Sequence, residues 1–316
     1  MIDARGTVVI PGGGGYLGSA LSKYFEARDF DVVVLGRRPR RDRGRVHFVP
    51  WDGRTLGPWS KYFEGATAII NMAGRSVNCR YTPANRNEIY ASRLDSTRVV
   101  GQAIARCKEP PPVWLNSSTA TIYRHTFGPA WDESGEIGGM SAAKDEFSVD
   151  VCRRWEAALW QAEVPQTRRV ALRQAMTFGP RGDVWNAFAR IAKVGLGGPL
   201  GSGRQWVSWI HIDDFCRAVG WVIERTEIEG AVNICSPKPL PNAQFVREIR
   251  HALGVPIGVP ATEWMLEIGA KVLGTETELL IKSRRVVPGK LLESGFEFEF
   301  ADWPAATQDI VARERA

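Results

Sequence analysis

The chain has 316 residues and a formal net charge of +6, with 44% hydrophobic and 24% charged residues. This composition is that of an ordinary folded protein, and it excludes a disordered chain, a collagen and a coiled coil. The length predicts about two domains or one large α/β unit. No apolar run approaches the ~18 residues of a membrane-spanning helix. The N-terminal sequence MIDARGTVVI lacks a cationic region before its apolar one, so we expect neither a signal peptide nor membrane contact.

Cysteine and histidine spacing indicates the compartment and bears on metal binding. The five cysteines form no CxxC pair, and the four histidines form no HxxxH or HExxH motif. An odd number of dispersed cysteines is typical of reduced, mostly buried thiols. We therefore expect a cytoplasmic protein without a metal site.

Apolar, β-branched runs recur along the first half of the chain and predict strands. They comprise residues 7–10, 31–35, 46–50, 66–71 and 113–117. Such continuous runs suit parallel strands that are covered on both faces. Residues 90–107 and 147–158 carry apolar side chains every three to four positions, which is typical of helices. The alternation predicts an α/β fold with a doubly wound parallel sheet of the Rossmann type.

The second half of the chain has a looser pattern. It predicts a loop over residues 195–203, a strand over 206–212, a helix over 213–224 and a strand over 231–235. We therefore predict two domains. The Rossmann domain, which would bind the cofactor, comprises residues 1–175 and 206–235, and a smaller substrate or cap domain comprises residues 176–205 and 236–316.

Glycines follow the first predicted strand at the spacing of a dinucleotide-binding loop. Gly12, Gly15 and Gly18 form GxxGxxG between a predicted strand and a predicted helix. Glycine permits the tight turn and the close approach of backbone to a pyrophosphate, and the amides of Tyr16 and Leu17 would point at the phosphates. In this context the pattern predicts dinucleotide binding, with an ordinary glycine-rich turn as the alternative.

The end of the second predicted strand indicates which dinucleotide is bound. NAD-binding proteins place a carboxylate about 20 residues after the loop to hold the ribose 2′-hydroxyl. Here the chain reads Leu35-Gly36-Arg37-Arg38, and two guanidinium groups suit a 2′-phosphate. We therefore predict NADP (NADPH) as the cofactor. The arginines that continue to Arg45 have no interleaved aromatic residues, which favours a solvated loop over a nucleic-acid surface.

Several segments together resemble a known family. They are GGGGYLGSAL (12–21), NMAGRSVN (71–78), SRLDSTRVV (92–100), SSTATIY (117–123), FSVDVCRRWE (147–156), LGGPLGSGRQWVSWIHIDD (196–214) and VVPGKLLESGFEF (286–298). The chain resembles the extended short-chain dehydrogenase/reductases of the NAD-dependent epimerase/dehydratase superfamily. It is most similar to the atypical branch called epimerase family proteins, some of which are described as nucleoside-diphosphate-sugar epimerases. The last segment resembles a small domain of unknown function attached to this branch.

The resemblance implies roles for individual residues. Those implied in cofactor binding are Gly12, Gly15, Tyr16, Leu17 and Gly18 at the pyrophosphate, Arg37 and Arg38 at the 2′-phosphate, Asp52 at the adenine, and Asn71, Ala73 and Gly74 after the fourth strand. Thr119 takes the place of the family's catalytic Ser/Thr, and Tyr123 would face the substrate pocket from the same loop. We take Thr119 and Tyr123 as the candidate catalytic residues.

The chain departs from the family where the chemistry would lie. The resemblance implies a Tyr as general acid/base and a Lys four residues later, but Ser148 and Cys152 stand at these positions. A Tyr with an ordinary pKa of about 10 needs such help near neutral pH. Ala120 and Thr121 replace the Asp-Glu pair of the family's 4,6-dehydratases, which argues against sugar dehydration.

Other residues are candidates for the missing acid/base. Tyr123 lies in the expected pocket loop, and His125 would titrate near neutral pH. Lys144 precedes a predicted helix and fits a solvated side chain better. Cys152 fits an inert core thiol, and His211 a structural residue on a strand.

Arginines after the fourth predicted strand indicate the charge of the substrate. Arg75, Arg80 and Arg86 cluster over the expected nicotinamide end, where they suit a carboxylate or phosphate. A salt-bridged surface is an equal alternative. Val207 stands where the family's arginine grips the diphosphate of a nucleotide sugar, and Arg204 is the candidate to replace it. We predict an anionic small-molecule substrate.

Three functions follow from these patterns, in decreasing order. The first is an NADP(H)-dependent oxidoreductase or epimerase that acts on an anionic small molecule with a non-standard acid/base. The second is a non-catalytic NADP(H)-binding regulator or scaffold, which the absent Tyr and Lys favour. The third is a nucleic-acid binder that uses the arginine run; we rank it last and predict no nucleic-acid partner. We expect a monomer or a homodimer.

Overall fold

A parallel sheet organises the larger part of the chain. The computed structural model describes residues 5–38, 40–140, 143, 145–262, 264–266, 276 and 281–315. Its strands are β1 (Thr7–Pro11), β2 (Asp31–Gly36), β3 (Val46–Pro50), β4 (Ala68–Asn71), β5 (Val113–Thr119), β6 (Arg168–Gln174), β7 (Met176–Phe178), β8 (Trp206–Val207), β9 (Trp209–His211), β10 (Gly230–Ile234) and β11 (Leu240–Pro241). One sheet has the order β3-β2-β1-β4-β5-β6-β10, and every neighbouring pair in it is parallel. The predicted Rossmann-type fold is confirmed.

Helices cover both faces of this sheet. They include α1 (Tyr16–Glu26), α2 (Pro83–Ile104), α3 (Glu146–Trp160), α4 (Asp183–Lys193), α5 (Ile212–Glu224), α6 (Asn242–Leu253), α7 (Gly289–Glu293) and α8 (Trp303–Arg315). Side chains of α1 and α5 pack with Val8 and Ile10 of β1, whereas side chains of α2 and α3 pack with Val9. Successive strand residues point to opposite faces, so one apolar run supplies both cores. Each such buried side chain contributes about 1.5–3 kcal/mol.

The order of the strands creates a crevice beside β1. The chain passes from β1 to β2 on one side, and β4 pairs with β1 on the other. The loops after β1 and β4 therefore leave the sheet in opposite directions. In open α/β sheets, ligands bind at this point, beyond the carboxyl ends of the strands.

A second, aromatic core lies outside the main sheet. Phe178, Trp185, Trp209, Phe245 and Trp303 are each no more than 2% exposed and pack together. The rings of Phe245 and Trp303 stack with centroids 4.4 Å apart. This core joins β7, α4, β9, α6 and α8, so residues far apart in the chain form one smaller unit.

The single strand predicted over residues 206–212 is wrong. β8 pairs antiparallel with β11, whereas β9 pairs parallel with β7. Between them, the Ser208 hydroxyl donates to the carbonyl of Arg284 at 2.9 Å and so ties the chain to its C-terminal part. Strand β6 had no counterpart in the sequence analysis, because Arg168, Arg169 and Arg173 interrupt its apolar pattern.

The boundary between the two predicted domains stays a prediction. The main sheet uses strands from residues 1–175 and 206–235 only. However, Leu291 and Phe296 from the C-terminal part join the same core as Val8. The C-terminal residues therefore contact the Rossmann core directly.

Cysteines, possible metal ligands and long helices can be compared with the expectations from composition. All five cysteines are free thiols. Among the described residues, no group of His, Cys, Asp or Glu side chains could hold a metal ion. No described helix is long and apolar enough to cross a membrane.

Candidate cofactor and substrate site

The three glycines of the predicted motif after β1 differ in the space around their Cα atoms. Gly12 has φ +74°, and a Cβ there would lie 2.5 Å from the Cα of Ala73. A Cβ on Gly18 would lie 2.4 Å from the Cα of Gly13. Gly15 has no heavy atom within 4 Å of a Cβ position, so its space is open. The first two glycines allow close packing, and the third leaves room for a ligand.

The N-terminus of α1 faces this open space. Gly15 is its N-cap residue, and no side chain caps the helix there. The amides of Tyr16 and Leu17 in the first turn lack intrahelical acceptors, and their predicted contact with a pyrophosphate stays a prediction. The Tyr16 hydroxyl donates to the carbonyl of Pro180 at 3.3 Å, and burial raises the pKa of that phenol. Its ring therefore braces the loop as a neutral group.

Arg37 and Arg38 flank the glycine loop. The Gly12 amide donates to the carbonyl of Leu35 at 2.8 Å, and the two arginines follow two residues later. Both are exposed, and within the described residues neither forms an ion pair. Arg40 instead donates to the carbonyl of Gly14 at 2.8 Å. Arg37 and Arg38 directly follow β2 beside the glycine loop, and their contact with a 2′-phosphate stays a prediction.

Asp52 lies at the end of β3, with both carboxylate oxygens bound locally. Its Oδ1 accepts from the amides of Arg54 and Thr55 at 2.8 and 3.0 Å, and its Oδ2 from the Thr55 hydroxyl at 2.6 Å. These hydrogen bonds lower the pKa of Asp52, so it is ionised at neutral pH. Its predicted contact with the adenine stays a prediction.

The loop after β4 is shaped by a buried amide pair. Asn71 is fully buried, donates to Asn116 Oδ1 at 2.7 Å and accepts from the amide of Ala73 at 3.2 Å. This turn brings Ala73 against Gly12 and leaves Gly74 exposed. Asn71 therefore positions the loop, while the backbone of Ala73 and Gly74 borders the crevice.

The structure brings an unpredicted arginine to the candidate catalytic threonine. Thr119 ends β5, and its hydroxyl donates to Thr121 Oγ1 at 3.2 Å. Arg284 Nε donates to the same Thr121 oxygen at 3.2 Å. A guanidinium group from the C-terminal part thus lies two hydrogen bonds from the Thr119 hydroxyl.

A buried ion pair contacts the backbone of Thr121. The side chains of Lys282 and Asp145 are fully buried and form an ion pair, and Lys282 Nζ also donates to the Thr121 carbonyl at 2.6 Å. Burial and the charge of Arg284 lower the pKa of Lys282. Asp145 thus compensates the charge of Lys282 within the core.

His125 lies beside this ion pair and is bound to the same C-terminal segment. Its Nδ1 accepts from the amide of Ser283 at 3.0 Å. Burial lowers the pKa of His125, which favours the neutral ring that this acceptor role requires. The His125 ring therefore holds the C-terminal segment at Ser283 through this hydrogen bond, and its catalytic role stays a prediction.

Tyr123 lies inside a buried polar network. Its hydroxyl donates to Asn233 Oδ1 at 2.8 Å and accepts from Arg173 Nη1 at 2.9 Å. Arg173 also forms a bidentate ion pair with Glu156, with distances of 2.9 and 2.8 Å, and Ser118 donates to Glu156 at 2.6 Å. Tyr123 is 1% exposed, and burial raises its pKa to about 12. The Tyr123 hydroxyl is thus already engaged both as a donor and as an acceptor.

The positions of the absent acid/base pair lie on α3. Ser148 is partly buried, and its hydroxyl lies 3.4 Å from that of Tyr81. Cys152 is 2% exposed and lies in a small apolar cluster with Tyr123. Lys144, the other basic candidate, lies outside the described residues.

The arginines predicted to bind an anion have protein partners. Arg75 forms an ion pair with Glu88, and Arg80 pairs with Glu276 at 3.2 Å. Arg86 donates to a backbone carbonyl and stacks over the Phe147 ring. These three side chains fit the alternative of a salt-bridged surface.

Comparison with known proteins defines the class. The chain belongs to the NAD dependent epimerase/dehydratase family, whose model matches residues 8–235. A domain of unknown function, DUF1731, matches residues 261–310. The resemblance found in the sequence is therefore confirmed.

Individual relatives cover nearly the whole chain. The epimerase family protein SDR39U1 of Bos taurus is 29% identical over 312 residues, which is 96% of this chain and 99% of that protein. YfhF of Bacillus subtilis is 29% identical over 307 residues, 96% of this chain and 98% of that protein. The crystal structure of human SDR39U1 (isoform2) with NADPH has a TM-score of 0.84 at 26% identity, covering 97% of this chain and 99% of the other. The NADPH in that structure supports the cofactor predicted from Arg37 and Arg38.

Two groups of residues had no place in the sequence analysis. Arg284 and Lys282 were missed, although the cluster Lys282-Ser283-Arg284-Arg285 directly precedes the recognised C-terminal segment. Glu156 and Arg173 were missed as a pair, because nothing in one sequence shows that two charges 17 residues apart meet in a core.

Proposed function

We propose that the protein is an NADP(H)-dependent oxidoreductase or epimerase that acts on an anionic small molecule at the carboxyl ends of β4 and β5. The observation that carries the proposal is the contact of Arg284 with Thr121, next to Thr119. This contact places a cation beside Thr119, whereas Val207 carries no charge and Arg75 and Arg80 lie at their own ion pairs.

The cofactor half of the proposal rests on the crevice at β1. Gly15 leaves open space before the uncapped N-terminus of α1, and Arg37 and Arg38 lie at its edge. These features fit a dinucleotide with a 2′-phosphate. When bound, the nicotinamide would supply reversible hydride transfer, as in other nicotinamide-dependent enzymes.

In the reaction half, the residues have distinct proposed roles. Arg284 binds a carboxylate or phosphate of the substrate, and the Thr119 hydroxyl donates to the reacting oxygen in place of Thr121 Oγ1, its acceptor in the structure. We assign Tyr123 a positioning role, because its hydroxyl is already bound to Asn233 and Arg173. We retain the cytoplasm as the proposed compartment, since all five thiols are free.

A paired titration tests the cofactor half. Purified protein is titrated with NADPH and with NADH at two salt concentrations, with quenching of tryptophan fluorescence as the signal. We expect much tighter binding of NADPH, and the variant Arg37→Ala/Arg38→Ala should lose about tenfold or more, as for charge-assisted hydrogen bonds. Arg41→Ala/Arg43→Ala removes the same charge from the same run and should change little. Failure of the wild type to bind either nucleotide would contradict the proposal.

A turnover assay tests the reaction half. Protein loaded with NADPH is incubated with pools of small carboxylates and phosphates, and the oxidation of NADPH is followed by absorbance. Arg284→Gln should abolish turnover of an active substrate while leaving NADPH affinity unchanged. A neutral substrate that is turned over equally by both proteins would remove Arg284 from its proposed role.

The absence of a Tyr and Lys at Ser148 and Cys152 favours a second candidate, a non-catalytic NADP(H)-binding regulator or scaffold. That function predicts tight NADPH binding without turnover on any pool. It also predicts a protein partner that is recovered with the NADPH-bound form and not with the free form.

A further inference from the structure

Arg93 of α2 places its guanidinium group beneath the loop that follows β4. A Cβ on Gly74 would lie 3.4 Å from Arg93 Cζ and 3.6 Å from its Nη2. Arg93 Nη1 donates to the carbonyls of Arg75 and Ile89 at 3.1 and 3.2 Å. On the other side, Arg93 Cζ lies 4.9 Å from the centroid of the Trp155 ring on α3. The group is therefore held between the β4 loop and α3.

This guanidinium group differs from its neighbours in charge compensation. Arg75 pairs with Glu88, and Arg173 with Glu156. Within the described residues Arg93 pairs with no carboxylate, and burial lowers its pKa. Arg93 is partly buried, and a cation that loses part of its hydration without a fixed carboxylate is costly for a fold to maintain. Among the described residues, the side-chain hydrogen bonds of Arg93 all use Nη1. Its Nε and Nη2 groups are therefore left as donors for a ligand.

The position of Arg93 selects which part of a dinucleotide would meet that edge. The glycine loop contacts the β4 loop through Gly12 and Ala73. In a doubly wound sheet, one nucleotide half lies over each side of this crevice. Arg37 and Arg38 mark the adenosine side, over β2. Arg93 lies on the opposite side, since Gly74 follows β4 and α3 follows β5.

We propose that Arg93 binds the nicotinamide ribose of NADPH through its Nε and Nη2 edge and so positions the nicotinamide beside Thr119. Two parallel N–H donors match the two adjacent ribose hydroxyls, which accept hydrogen bonds without carrying charge. Cys152 is a short side chain on the neighbouring turn of α3, where the sequence departs from the family's Lys. The cation needed at the ribose would thus come from α2 instead of α3. This inference rests on the cofactor part of the proposed function.

Calorimetric titration of two ligands tests the inference without any substrate. NADPH carries the nicotinamide ribose, whereas adenosine 2′,5′-bisphosphate carries only the part that would meet Arg37 and Arg38. Arg93→Gln should weaken NADPH binding about tenfold or more, as expected for lost charge-assisted hydrogen bonds. Its affinity for the bisphosphate should stay within about twofold of wild type, because hydrogen bonds to Arg93 contribute nothing there. Retained bisphosphate binding also shows that the variant is folded.

Matched variants make the result specific. Arg98→Gln removes a charge from the exposed side of the same helix and should leave both affinities unchanged. Arg37→Ala/Arg38→Ala should weaken both ligands, and Arg93→Lys should restore part of the NADPH affinity. Equal NADPH binding by Arg93→Gln and wild type overturns the inference and leaves the proposed function standing, as does equal weakening of both ligands. A wild type that binds no NADPH overturns both.

Discussion

The two halves of the proposed cofactor crevice are built in different ways. On the adenosine side, backbone amides at the start of α1 and three glycines form the site, and each glycine has its own steric role. On the proposed nicotinamide side, Arg93 of α2 lies over the Trp155 ring of α3 near the β4 loop, and Arg284 of the C-terminal part contacts Thr121 after β5. The first half needs little beyond a local turn, whereas the second depends on segments almost 200 residues apart.

This difference teaches where a fold can change its chemistry. A glycine loop tolerates few substitutions, because a Cβ at Gly12 or Gly18 would overlap backbone atoms. A catalytic side chain can be replaced by another group that reaches the same point from a neighbouring element. This difference explains how the chain can keep a complete glycine loop while Ser148 and Cys152 stand at the positions of the family's Tyr and Lys.

The largest expected effect concerns the buried pair beneath the nicotinamide side. Glu156→Gln leaves Arg173 charged and without its partner in the core, where both side chains are at most 7% exposed. We expect the free energy of unfolding to fall by about 3–5 kcal/mol. Urea denaturation monitored by circular dichroism measures this change.

A surface pair on the same helix is the control for that prediction. Arg154→Gln breaks an exposed pair with Asp150, and we expect a loss below about 1 kcal/mol. The double variant Glu156→Leu/Arg173→Met should recover much of the loss, since it removes both buried charges of this pair. Similar losses for the buried and exposed single variants would show that the network does not stabilise the nicotinamide side.

An intermediate effect separates packing from binding on the adenosine side. Gly18→Ala places a Cβ 2.4 Å from the Cα of Gly13, so we expect the free energy of unfolding to fall by about 1–3 kcal/mol. Gly15→Ala meets no protein atom within 4 Å, so it should fold normally and lose NADPH binding. Calorimetry of both variants tests the distinction, and a Gly15→Ala protein with wild-type affinity would argue against a pyrophosphate at this loop.

The smallest expected effect is a pH dependence at the C-terminal segment. Burial lowers the pKa of His125, with Lys282 and Arg284 acting in the same direction and Asp145 against it. The unfolded chain takes up a proton below about pH 6.5, whereas the folded chain resists it. Stability is therefore full above that pH and falls as the pH drops, by at most about 1.4 kcal/mol per pH unit.

Unfolding curves between pH 7 and pH 5 measure this slope. His125→Gln should reduce the slope, while His47→Gln removes an exposed histidine paired with Asp42 and serves as the control. An unchanged slope in His125→Gln would mean that other groups govern the acid sensitivity.

The sequence allowed the fold to be predicted where structure is local. The strands at residues 31–35 and 46–50 follow from continuous apolar runs, and the structure has them at Asp31–Gly36 and Val46–Pro50. Strand β6 escaped prediction because Arg173, a core residue, looks like a surface residue in the sequence. The strand over residues 206–212 was wrong because its two halves pair with different strands, and Ser208 between them bonds to residues that lie 76 and 78 positions away.

The sequence by itself determined the Rossmann architecture, the glycine loop and the absence of the Tyr and Lys pair, and it predicted NADPH as the cofactor. These depend on residues close together in the chain, whose backbone geometry and charge follow from their own types. Only the tertiary structure decided that Arg75 and Arg80 are paired, that Tyr123 is enclosed, and that Arg93 lies near Gly74 and Arg284 contacts Thr121. The partners and the burial of a charged side chain are set by segments distant in the chain, and these two factors decide whether its charge is available to a ligand.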